Sequence, residues 1–162
     1  QQVALVRRLR KAGVTHVLVG GDRNDVAIIA RDAAAENMPL QILGGDAMRA
    51  ADRPVPLRDG VLVAAIPDYA ALPEATEAVA ILRANGIEPE GYVLPAHAAV
   101  ELVSRAAAEM DGRSLVDVIL STGLETVIGH IAFDAGHELA ENPLRLQAWR
   151  GDGFVPVTPP TE

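Results

Sequence analysis

Cysteine is absent from the chain, which excludes disulfides, thiolate nucleophiles and thiolate metal ligands but does not distinguish a reducing from an oxidising compartment. Aromatic residues make up 3% of the sequence, so stacking platforms for bases or sugars are scarce. Basic residues are outnumbered: 14 Lys and Arg against 22 Asp and Glu give a formal charge of −8. That sign repels a phosphate backbone, and nucleic acid is not an expected partner. No apolar run approaches the roughly 20 residues of a membrane helix. The opening, Gln1 running into Val3-Ala4-Leu5-Val6-Arg7-Arg8, has neither an initiator methionine nor a signal-peptide pattern. It reads as the middle of a helix, and the expectation is a chain cut from something longer or numbered after processing.

What is present is organised around residues 14–48. Two apolar runs, Thr15-His16-Val17-Leu18-Val19 and Leu40-Gln41-Ile42-Leu43, each end in the same tripeptide, Gly20-Gly21-Asp22 and Gly44-Gly45-Asp46. Buried parallel strands read as unbroken apolar runs, and open α/β sheets bind ligands beyond the carboxyl ends of their strands. Asp22 and Asp46 therefore mark the candidate site, flanked by Gly21 and Gly45. A glycine there permits a sharp turn or close ligand approach, and a carboxylate can accept from an ammonium group or cap a helix.

The 162 residues suffice for one ordinary domain that buries roughly two-thirds of its unfolded surface. Leu5, Val6 and Leu9 share a helical face within 3–12, and Gly13 stands at a helix C′ position. Val26, Ile29, Ala30 and Ala33 repeat as a second helix face, which Pro39 keeps out of the following strand. The proline-bearing stretch 47–59 predicts a short helix and a loop. Gly60–Ile66 predicts a third buried strand. Leu72-Pro73-Glu74 opens a helix with inner residues Ala75, Ala78, Val79 and Leu82, closed by Gly86. Pro95 is expected to start the next helix, with Ala99, Val100, Val103, Ala106, Ala107 and Met110 as its buried stripe. Ser114 caps a shorter helix that buries Leu115, Val118 and Ile119. Beyond Thr126 the period shifts to two, predicting strands at 127–134, 144–150 and 154–157, the last two joined at Gly151-Asp152-Gly153.

Catalytic signatures are missing. The glycine turns are neither GxGxxG nor a phosphate loop, and Ser104, Ser114 and Ser121 sit in helical or capping contexts, so no catalytic residues are assigned. His130, Asp134 and His137 lie close in sequence, but no helical i, i+4 pair or second cluster completes a shell, so no metal site is assigned. No cofactor is expected. His16 and His97 have no partner in sequence.

Taken in order, Val17-Leu18-Val19-Gly20-Gly21, Ile42-Leu43-Gly44-Gly45-Asp46-Ala47, Gly60-Val61-Leu62-Val63, Gly91-Tyr92 before Ala98-Ala99-Val100, Thr126 to Asp134, Leu146-Gln147-Ala148-Trp149 and Gly153 to Val157 resemble one family. It is the carboxyl-terminal half of the substrate-binding proteins of branched-chain amino-acid ABC transporters. The resemblance implies an α/β fold of three layers, a Rossmann-like parallel sheet flanked by helices with a C-terminal β-hairpin, forming one lobe of a type I periplasmic-binding protein. It implies residues 1–94 as second-lobe core, 95–125 as a helical crossover segment, 126–158 as a C-terminal β segment and 159–162 as a disordered tail.

The same resemblance implies a non-catalytic, periplasmic or extracytoplasmic receptor for an amino acid or analogue, partnered by an ABC permease and by an amino-terminal lobe not present here. Asp46 falls where the family pairs an acid with the ligand's α-ammonium. Asp22 falls where leucine-type members carry an aromatic, which points to a more polar ligand, and His97-Ala98 replace a tyrosine and an aspartate. Without the first lobe, binding is expected to be weak or absent, and the chain is expected to form homo-oligomers. Two other readings stay open: a small Rossmann-like enzyme or nucleotide-binding domain using the same strand ends, and a ligand-sensing domain without a transport role.

Overall fold

The structure, a computed structural model, describes residues 2–49, 55–121 and 123–158. The expected tail at 159–162 and part of the loop expected within 47–59 lie outside the described residues. The chain forms two compact units, one of Gln1–Ile66 with Leu144–Glu162 and the other of Pro67–Pro143. The first begins with α1 (Val3–Lys11), β1 (His16–Val19), α2 (Arg23–Ala35), β2 (Gln41–Gly44) and β3 (Leu62–Ala65). The second holds α3 (Thr76–Ala84), α4 (Val93–Ala108), α5 (Leu115–Ser121), β4 (Leu124–Thr126) and β5 (Gly129–Ile131). The chain then returns to the first unit as β6 (Arg145–Arg150) and β7 (Gly153–Pro156). Among the described residues no helix is long and apolar enough to cross a membrane.

The first unit is a five-stranded sheet in the order β1-β2-β3-β6-β7. Its first three strands are parallel, and β6 and β7 form the expected antiparallel hairpin. The helix faces read from the sequence are the buried ones here. Val26, Ala27, Ile29 and Ala30 of α2 pack with Ile42, Val63, Ala65 and Trp149, while Val6 of α1 packs with Ala33 and Met38. Across the surface of that helix pair, Arg7 donates to Glu36 Oε1 and Arg10 to Glu36 Oε2; the hydrogen bond from Arg7 holds the Glu36 carboxyl below its ordinary range.

The strand at β1 departs from the unbroken burial its sequence suggests. Val17 and Val19 pack toward the core, but His16 and Leu18 are exposed, Leu18 to 74%. β1 is an edge strand, and one of its faces lacks a covering layer among the described residues, so an apolar run alone does not establish burial on both sides.

The second unit has two apolar clusters. Ala75, Ala78 and Val79 meet Leu94, Ala98 and Val127, and Leu102, Ala106, Val118 and Leu124 form the other. Two expectations are corrected here. α4 begins at Val93 rather than Pro95, and it buries Leu94, Ala98, Leu102 and Ala106 while Val100 and Val103 stay exposed. The helix is apolar nearly all round, so hydrophobic period does not select a face. Its charged groups instead tie it to the β4–β5 hairpin: half-buried Glu101 Oε2 accepts from the Val127 N–H at 2.8 Å, and at the surface Arg105 donates to the Glu125 carbonyl at 2.6 Å.

The second correction concerns the strand expected at 127–134. Val127 and Ile128 form the turn of a short antiparallel hairpin, in which Thr126 Oγ1 donates to the Gly129 carbonyl and accepts from the Ile128 N–H. Gly129 has φ +90°, a conformation glycine adopts without steric cost, and this local bonding outcompetes extension. If α4 is phased as observed, Leu94→Ala costs about 2–5 kcal/mol. Val100→Ala stays within about 0.5 kcal/mol of wild type. Urea unfolding of the two variants reads both values.

Candidate functional site

The parallel pairing places Val19 opposite Gly44, so the two Gly-Gly-Asp turns leave neighbouring strands at the same rim. The chain takes a different course after each. At the first turn Asp22 is the N-cap of α2, its Oδ1 accepting from the Asp25 N–H at 2.9 Å. This satisfies one of the donors that a helix start leaves open. Asp22 is exposed, and its position is explained by capping.

Asp46 is half-buried and opens a 3-10 turn over Asp46–Arg49. Its Oδ1 accepts from the Ile66 N–H at 3.1 Å, tying the end of β2 to the residue after β3. A carboxylate held by a backbone donor at a strand end is pre-positioned to accept from a cationic group. Gly45 is exposed with open space where a side chain would stand. The close approaches lie at Gly21, where a Cβ would come within 2.7 Å of the Asp25 carboxylate, and at Gly44, where it would come within 2.6 Å of Met48. Gly44 thus makes room for Met48, which is fully buried beneath the turn.

The remaining polar candidates have local roles. Asp134 Oδ1 accepts from the Gly136 and Glu138 N–H groups. His130 Nδ1 is 2.7 Å from Glu125 Oε1 across the β4–β5 hairpin. His137 sits in a turn with φ +64°, and His97 lies 3.7 Å from Glu101. Ala98, standing where the resembled family has an aspartate, is completely buried.

Two features near the rim were not legible as site residues. Arg23 is 3% exposed; its Nη1 donates to the Met48 carbonyl at 3.2 Å and its guanidinium lies 4.5 Å from the Trp149 ring centre. A cation in the first turn opposes the helix dipole, and that local mismatch is the signal that its role is tertiary. Gln147 is buried in β6, and its side-chain amide donates to the carbonyls of Ala65 and Ile66 at 3.3 and 3.2 Å. Nothing in the strand period marks it apart from a polar residue at an inward position.

The fold identifies the class. The chain aligns with a branched-chain amino acid ABC transporter protein from Thermus thermophilus, solved with bound valine, at TM-score 0.74 and 24% identity, over 98% of this chain and 48% of that one. It aligns with a leucine binding protein from Thermotoga maritima at TM-score 0.71 and 15% identity, over 98% and 48%. This is the type I periplasmic-binding-protein fold. In sequence, the chain is 30% identical over 154 residues to Leu/Ile/Val-binding protein homolog 2 of Brucella abortus, covering 91% of this chain and 42% of that protein. It is 24% identical to a leucine-, isoleucine-, valine-, threonine- and alanine-binding protein of Pseudomonas aeruginosa, over 92% and 42%. The chain is therefore a homologue of the Leu/Ile/Val-binding proteins, and it spans about two-fifths of the length of these relatives. No protein-family model matches it.

The capping role of Asp22 has a measurable consequence. Asp22→Ala lowers stability by about 0.5–2 kcal/mol, whereas Asp22→Ser keeps most of the cap; denaturant unfolding followed by circular dichroism distinguishes them.

Proposed function

We propose that this chain is the ligand-binding part of an extracytoplasmic solute receptor for amino acids or related small molecules, feeding an ABC transporter. The observation that carries the reading is Asp46: a half-buried carboxylate at the carboxyl rim of a parallel sheet, with one oxygen fixed by the Ile66 N–H. A cleft that desolvates an α-ammonium group needs such a counter-charge, because an unpaired buried charge costs several kcal/mol. Gly21 and Gly45 flank the contact, and Asp22 adds negative potential at the same rim. The homologues, named as binding proteins for leucine, isoleucine and valine and in one case also for threonine and alanine, support the ligand class and a non-catalytic role.

Sequence corresponding to the part of the relatives that this chain does not span would supply the second side of the cleft. Ligand contacts from two lobes then shift an open–closed equilibrium, and the closed form is what a permease receives. For these 162 residues studied by themselves the expected affinity is weak, on the order of 1 mM and about −4 kcal/mol. The expected result is that L-leucine or L-valine in excess raises the melting temperature and that Asp46→Ala removes the increase. Stabilisation by nucleotides and by no amino acid would contradict the receptor and favour a Rossmann-type enzyme.

Exposed apolar side chains on each unit, Leu18, Leu146 and Val155 on one and Val100, Val103 and Val116 on the other, support self-association of the 162-residue chain. Light scattering is expected to show a mass above that of the monomer that rises with concentration.

A further inference from the structure

The chain leaves the first unit after Ile66 and re-enters it at Leu144, so β3 and β6, which pair antiparallel with Ala65 opposite Arg145, carry both connections. Proline follows the exit at Pro67 and precedes the return at Pro143. Pro67 confines Ile66 to extended geometry and removes the next backbone donor. The Ile66 backbone is therefore held mainly by side chains. Its N–H donates to Asp46 Oδ1 at 3.1 Å, and its carbonyl accepts from Gln147 Nε2 at 3.2 Å.

Gln147 is 4% exposed, and the same amide nitrogen reaches the Ala65 carbonyl at 3.3 Å. Burying a primary amide costs free energy unless its hydrogens are used. Here both acceptors are carbonyls at the exit of β3, one on the last ladder residue, Ala65, and one on Ile66 just beyond it.

Resting on the receptor reading above, we infer that Gln147 is a positioning residue that, with Asp46, clamps Ile66 and relays occupancy of the Asp46 carboxylate to the strand end where the chain leaves the first unit. A ligand ammonium that draws on Asp46 competes for the negative charge that holds the Ile66 N–H. Gln147 keeps the Ile66 carbonyl in place while that bond adjusts, so the response is confined to one peptide group rather than spread through the sheet. All three residues belong to the first unit, so the relay is built within one compact body.

The test is amide hydrogen exchange and chemical shift at Ile66 in the 162-residue chain, with Val63, in the middle of β3, as internal reference. Gln147→Leu keeps a similar volume and removes the donors; it is expected to speed Ile66 exchange roughly tenfold while Val63 holds. Gln147→Glu, which offers no donor when ionised, does the same at neutral pH. In the wild type, L-leucine or L-valine shifts the Ile66 amide resonance, and Gln147→Leu diminishes that shift. Unchanged Ile66 exchange in both variants, or exchange that rises in step with Val63, overturns the clamp. An Asp46-dependent heat of amino-acid binding without any Ile66 response overturns the relay and leaves the receptor reading intact. A wild type that responds to none of L-leucine, L-valine and the more polar L-threonine, by heat or by resonance, overturns the receptor reading and the relay with it.

Discussion

Parallel pairing of β1 with β2 is the constraint on which the site depends. Because His16 pairs with Gln41 and Val19 with Gly44, both strands end at the same level, and two acidic turns far apart in sequence emerge side by side. A one-residue slip of β1 against β2 would turn the β1 side chains to the opposite face and would direct both His16 and Leu18 into the core. The core formed by Val26, Ala27, Ile29 and Ile42 therefore fixes the register and, through it, the rim.

At that rim identical tripeptides have different uses. Asp22 spends its carboxylate on the α2 backbone, where it lowers the cost of starting a helix. Asp46 spends one oxygen on the residue that follows the next strand, β3. Behind them lies a buried cation: Arg23, set against the face of Trp149 with the Met48 carbonyl as acceptor. Trp149 in turn packs edge-on to Phe154 with ring centres 5.1 Å apart. A guanidinium tolerates this environment because it is weakly hydrated and stacks on aromatic faces. The Met48 that accepts from Arg23 also fills the space left by Gly44, so the second turn is supported from beneath by apolar packing and by a charged hydrogen bond.

Much of this was legible because the signals were redundant. The three parallel strand runs, the α2 face, the helix ends at Gly13 and Gly86 and the β6–β7 hairpin each combine period with a turn or cap residue, and each lies where the sequence places it. The two acids were legible because glycine followed by aspartate after an apolar run specifies an edge. The α4 face was not, since alanine and valine occupy both sides of the helix and a half-buried acid, Glu101, faces the β4–β5 hairpin and accepts from the Val127 N–H. The turn at Val127-Ile128 was hidden by β-branched residues that favour extension, and only Thr126 hydrogen bonding and the left-handed Gly129 override that preference. Arg23, Gln147 and the Asp46–Ile66 bond depend on residues brought together from distant parts of the chain, which no local pattern encodes.

The central claim is that the carboxyl rim of β1 and β2, centred on Asp46, is the face that meets a zwitterionic ligand. Chemical-shift mapping of the isotopically labelled chain during titration with L-leucine tests it most directly. The account predicts that the largest perturbations fall at Gly20–Asp22 and Gly44–Ala47, with α3, α4 and α5 unaffected. Perturbations centred on α4 or on the β4–β5 hairpin, with the two glycine-aspartate turns silent, would contradict it.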